Sequence, residues 1–169
     1  MLMSALAVIF PLLMAFSAAY DLLTMRIPNW ISLALLITFC ICAVAIGMPL
    51  DIMGMHFAVG LGVLVGAFLL FIPGWIGGGD AKLAAAIGLW MGTEFALQFL
   101  LIATFLGGVL TIALLLFRAY FPVVWLPKAE WLVRLHNKEV GAPYGIALAA
   151  GAMFVYANTP LFDALTSNL

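Results

Sequence analysis

Polar residues are so sparse along this chain that they serve as punctuation between long apolar runs. Such runs cover Leu2–Tyr20, Trp30–Leu50, Phe57–Ile76, Phe95–Phe117 and Gly141–Phe162, the last broken late by Asn158 and Pro160. Each is close to the ~20 residues that a helix needs to cross a hydrocarbon core ~30 Å thick. A shorter run, Ala81 to Gly92, lies between the third and fourth. Read as a crossing it makes six helices; read as a re-entrant segment it makes five.

The placement of charge separates the two. With six crossings the first loop carries Arg26, the third Lys82, and the fifth Arg118, Lys128, Arg134 and Lys138, which are all six basic residues. The other loops and the termini hold only the acids Asp51, Glu94 and Asp163. The basic side of a membrane protein is the cytoplasmic one. Five crossings would split the basic residues between the two sides. The expected fold is therefore all-α, a polytopic membrane protein with six transmembrane helices, a short fourth helix and both termini outside.

Composition agrees. Of 169 residues, 67% are hydrophobic and 8% charged, and the mean hydropathy is +1.29. A soluble domain carries about 25% charged residues, so there is too little polar surface here to cover a water-soluble globule. A formal net charge of −1 leaves no basic surface for nucleic acid. Cys40 and Cys42, two apart in one helix, point to different sides and suit neither a mutual disulfide nor a zinc site. No metal-ligand set and no cofactor motif is evident. Ser17-Ala18-Ala19 has the small residues of a signal cleavage site, but no basic segment precedes the run, so a retained first helix is expected.

The one sizeable polar segment, Arg118–Val140, is too short for a second domain, so residues 1–169 read as a single membrane domain. Pro127 can open a short helix there. Glu130, Arg134 and Lys138 then share one face and Trp131, Leu132 and Leu135 lie elsewhere, as in a helix lying flat at the interface. A lid over a cytoplasmic-side site is the other reading. His136 in this segment and His56 in an outer loop read as solvated interface residues.

Two acids differ from the rest. Asp21 closes the first helix and Asp80 opens the short one, and the loop alternation puts both on the cytoplasmic side. From Asp80 to Gly92 is about 20 Å of helix, roughly 10 Å less than the hydrocarbon core. Asp80 is therefore expected within the membrane, where irregular backbone must be buried or line a cavity. Each signal alone has a plainer explanation. Gly77-Gly78-Gly79 suits a turn, Asp80 a helix cap, Arg26 and Lys82 basic anchors, and Pro28-Asn29 a turn into the second helix. Paired membrane acids would also serve a small ion-coupled transporter or channel component.

Taken together, Asp21 followed by Arg26-Ile27-Pro28-Asn29, then Gly77-Gly78-Gly79-Asp80-Ala81-Lys82-Leu83, resembles the type IV prepilin peptidase family of membrane aspartyl proteases. Pro143-Tyr144-Gly145-Ile146-Ala147 and the short length look most like its Flp, or tight-adherence, pilus branch. The resemblance implies catalytic aspartates at Asp21 and Asp80, with Gly77, Gly78, Gly79 and Lys82 supporting the second and Arg26, Pro28 and Asn29 the first. It implies a prepilin substrate with a short polar leader, a glycine before the cut and an apolar helix after it. It also implies a bacterial inner-membrane enzyme working on the cytoplasmic side. Longer members carry a zinc-binding region with Cys-x-x-Cys motifs and methylate the new N-terminus; the first loop here is only Asp21–Asn29 and lacks that region. Nothing in the sequence points to an oligomeric state.

Overall fold

The computed structural model describes residues 2–122, 127, 129–138 and 140–167. Among them the regular elements are seven helices: α1 Leu2–Thr24, α2 Asn29–Ala45, α3 Leu50–Phe71, α4 Gly78–Tyr120, α5 Glu130–His136, α6 Tyr144–Tyr156 and α7 Pro160–Thr166. The fold is all-α. By length and apolarity three segments can cross a membrane: Ala5–Thr24, Leu50–Phe71 and Gly78–Tyr120. The pair α6 and α7, bent by 63° at its break, makes a fourth if counted as one span, and α2 is a shorter apolar helix.

The ambiguous run is the centre of the molecule. α4 breaks at Gly92, where φ of 63° and ψ of −169° suit a residue without a Cβ. Ala84 and Leu100, eight residues to either side, line one groove, although a straight helix would hold them about 24 Å apart. The limbs 78–91 and 93–120 therefore fold back on each other. Residues 83–92 are all buried, as expected of a helix that is apolar on every side.

Trp90 anchors this limb. Its ring packs against Phe10, Phe39 and Tyr156 at centroid distances of 4.8, 5.9 and 6.0 Å. Its indole N–H, costly to leave unpaired in an apolar core, donates to Leu35 O at 2.9 Å. α3 packs along the first limb and α6 along the second, where Gly151 brings α6 against the backbone of Ala103. Most of α3 faces outward, with Leu61, Val65, Phe68 and Leu69 exposed.

Several boundaries differ from the hydrophobic pattern. α1 continues to Thr24, so Asp21 lies within its last turn instead of closing it. α2 stops at Ala45, and Gly47, with φ of 68°, and Pro49 turn the chain. α3 consequently starts at Leu50, and His56, expected in a loop, sits inside it. Its Nδ1–H donates to Leu89 O at 2.7 Å and its ring packs on Phe39. A bond to a neighbour's backbone takes His56 out of the solvated class. α5 begins at Glu130 instead of Pro127 and ends at His136, which leaves Lys138 off the helix face assigned to it. Lys128 lies outside the described residues.

Candidate active site

The site begins with a hard corner. Met25 takes a left-handed conformation, φ 54°, and its N–H donates to Asp21 O at 2.7 Å, ending α1. Such a φ is uncommon outside glycine. Residues 26–28 then run to Pro28, whose φ of −65° and ψ of 138° lead into α2 at Asn29. The corner thrusts Ile27 inward.

Ile27 is wedged between two glycines. A Cβ on Gly79 would fall 3.1 Å from Ile27 Cβ, and one on Gly145 would fall 2.8 Å from Ile27 Cδ1. Only residues without side chains admit it on both sides. The loop after Asp21 is thereby clamped between the residue before Asp80 and the first turn of α6. A second tie crosses the same gap, where Lys82 Nζ donates to Asn29 Oδ1 at 2.9 Å.

Asp21 is 4% exposed, and its Oδ2 accepts the Gly145 N–H at 2.7 Å. Gly145 is in the first turn of α6, where unpaired N–H groups and the helix dipole favour a carboxylate. Asp80, partly buried, is the third residue of α4, and its Oδ2 accepts the Gly77 N–H at 3.2 Å. Both carboxylates thus lie against helix N-termini, that of Asp21 against the start of α6 and that of Asp80 in the first turn of α4. Ser17, one turn deeper than Asp21, is fully buried and finds no hydrogen-bond partner among the described protein groups.

Of the residues named from sequence, Asp21, Asn29, Gly79, Asp80 and Lys82 come together, Pro28 shapes the corner and Gly77 holds Asp80. Arg26 is exposed, and Gly78 lies against the Phe71 ring. Two contributors have no role in the sequence reading: Ile27, an ordinary apolar residue inside the motif, and Gly145. The only signal for Gly145 was the Pro143-Tyr144-Gly145 run itself. Among the described residues no group of three or more His, Cys, Asp or Glu is placed to hold a metal ion.

The polar segment closes around this end. Arg118 donates from Nε to Leu135 O at 2.8 Å, and from Nη2 to Val140 O and Gly141 O at 2.9 and 3.0 Å. Arg134 donates to Leu23 O at 3.2 Å, tying α5 to the end of α1. His136 is bonded to Phe121 O at 2.8 Å. These bonds fix the approach to Pro143 and Gly145.

The Lys82–Asn29 tie is open to test. Lys82→Met and Asn29→Ala should each slow leader cleavage about three- to tenfold, the loss of one charge-assisted bond at an exposed position. The double variant should be little slower than either single one, because both remove the same bond. Initial rates on a leader-bearing substrate measure this, and additive losses would show the two residues acting apart.

Two recessed carboxylates, gathered at one end of the bundle through the Ile27 wedge, form an arrangement suited to general acid–base work. Residues 8–112, well over half of the chain, match the Type IV leader peptidase family, and this stretch includes Asp21, the 26–29 corner and Asp80. No curated protein and no solved structure matches the chain. The chain belongs to the Type IV leader peptidase family: it is a multi-pass membrane protein and an aspartic prepilin peptidase, a hydrolase.

Proposed function

We propose that this peptidase removes the leader of Flp-type prepilins after a glycine, with Asp21 and Asp80 as its catalytic pair. The observation that carries the reading is the Ile27 wedge, which ties the segment after Asp21 to the glycine before Asp80. One carboxylate takes a proton from water as the oxygen attacks the scissile carbonyl, and the other gives its proton to the carbonyl oxygen. Collapse of the resulting diol breaks the C–N bond; the departing amine takes up the proton held by the first carboxylate, and a diol hydroxyl returns its proton to the second. The two acids titrate as one unit.

The same reading makes residues 1–169 one membrane domain with six crossings, counting α2, the two limbs of α4, and α6 with α7 as separate passages. Both termini lie outside and the aspartates open to the cytoplasmic side of the bacterial inner membrane. The basic residues support this orientation, since Arg26 and Lys138 in loops, Lys82 and Arg118 near the two ends of α4, and Arg134 on α5 all lie at the aspartate end. Partners are the prepilin and the bilayer, with no nucleic acid.

Purified protein incubated with an Flp-type prepilin should shorten it by the leader on a gel, with mass spectrometry placing the cut after glycine. Cleavage of longer-leader prepilins alone would refute the branch assignment, and no cleavage of either would refute the whole reading. Reporter fusions to the C-terminus should be active only outside the cytoplasm.

A further inference from the structure

Two apolar grooves flank α3, and helix geometry separates them. One, of about 330 Å³, is lined on α4 by Lys82, Ala85, Ala86 and Leu89. At 100° per residue these positions lie roughly 140–240° around the helix from Asp80. The other, of about 600 Å³, is lined on α4 by Ala84, only about 40° from Asp80. It continues over Ile76, ahead of the glycine turn, and over Tyr144 and Leu148 on α6, which flank the Gly145 that binds Asp21. Both walls of this larger groove therefore start at the residues that hold the two aspartates.

We propose that the groove between α3, the second limb of α4 and α6 seats the apolar helix that follows the cleavage point of the substrate. The proposal rests on the peptidase reading given above. No charged residue lines the groove, and the α3 wall carries Gly62, Gly66 and Ala67. A Cβ on Gly62 or Gly66 would meet no atom within 4 Å. That space is open to the bilayer, so an apolar helix can enter sideways from the lipid and present the peptide just before it to the aspartates. The smaller groove, turned away from Asp80, offers no such path.

The open space makes the test selective. Gly66→Trp puts an indole into the groove from a position where a Cβ meets no atom within 4 Å, and Gly108→Trp, whose Cβ is equally free, is the matched control outside it. Two substrates are compared: full-length prepilin, and a soluble peptide with the leader and the cut but no apolar helix. Gly66→Trp should lower kcat/KM on prepilin at least about tenfold, mainly through KM, while cutting the peptide like wild type. Gly108→Trp should leave both unchanged. Prepilin cleavage at the wild-type rate by Gly66→Trp overturns the proposal.

A second measurement stands if the Trp variant misfolds. A photo-cross-linker at position 66 of Asp80→Asn protein should capture the apolar segment of prepilin, and one at Leu61, in the smaller groove, should not. Capture from 61 alone overturns the proposal. Wild-type protein inert on both substrates would instead overturn the peptidase reading.

Discussion

Asp21→Asn and Asp80→Asn are each expected to abolish leader cleavage, by about a thousandfold or more, while the protein still inserts and folds. Proton transfer by a positioned carboxylate contributes roughly 10²–10⁴-fold, and neither step proceeds with a group that cannot exchange protons. Asn keeps the shape and the accepting oxygen. At position 21 it can still take the Gly145 N–H, and at position 80 the Gly77 N–H. A purely structural role would therefore survive either change almost intact. The double variant should be little worse than the single ones, because the acids act as a unit. Asp51→Asn and Asp163→Asn, on helices away from the site, are the active controls. Cleavage near the wild-type rate by either Asp21→Asn or Asp80→Asn, measured on a prepilin gel, would refute the pair.

Gly145→Ala should come next in size. A Cβ there would sit 2.8 Å from Asp21 Oδ2 and 2.8 Å from Ile27 Cδ1, so one methyl group displaces both the carboxylate and the wedge. Misplacing a reacting group by about 1 Å can cost ~10²-fold in rate, and a fall of that order in kcat is expected. Stability should move much less, because alanine gains up to about 1 kcal/mol over glycine inside a helix and offsets part of the clash. Gly108→Ala isolates that gain, having nothing within 4 Å to meet. Its activity should be unchanged and its Tm in detergent equal or higher. A Gly145→Ala protein as active as wild type would mean that the Asp21–Gly145 bond does not position the carboxylate.

The two aspartates were legible in the sequence because an acid inside an apolar run is costly and therefore conspicuous. The short run 81–92 was legible as well, since its length against the bilayer already set it apart. Element ends were not. Lipid is as apolar as the protein core, so both faces of α2 and α3 read alike and no periodicity marks where one stops. His56 fell on the wrong side of such an end, because a polar residue between two apolar runs looks like a loop. Gly47 and Pro49, eleven and thirteen residues after Leu36, were the better boundary marks. Ile27 escaped for another reason. Its neighbours Gly79 and Gly145 lie far along the chain, and an isoleucine in an apolar sequence carries no sign of what it touches.

The bond from the Gly145 N–H to Asp21 spans 124 positions, and this separation has a consequence for biosynthesis. The first helix leaves the ribosome long before the amide that completes its carboxylate has been translated. A nascent chain halted between Asp80 and α6 carries both aspartates but lacks the amide whose N–H Asp21 accepts. On the catalytic-pair reading proposed above, such a fragment is expected to cleave poorly until the last passage has been inserted, so a ribosome stalled late in the message leaves an unarmed fragment behind.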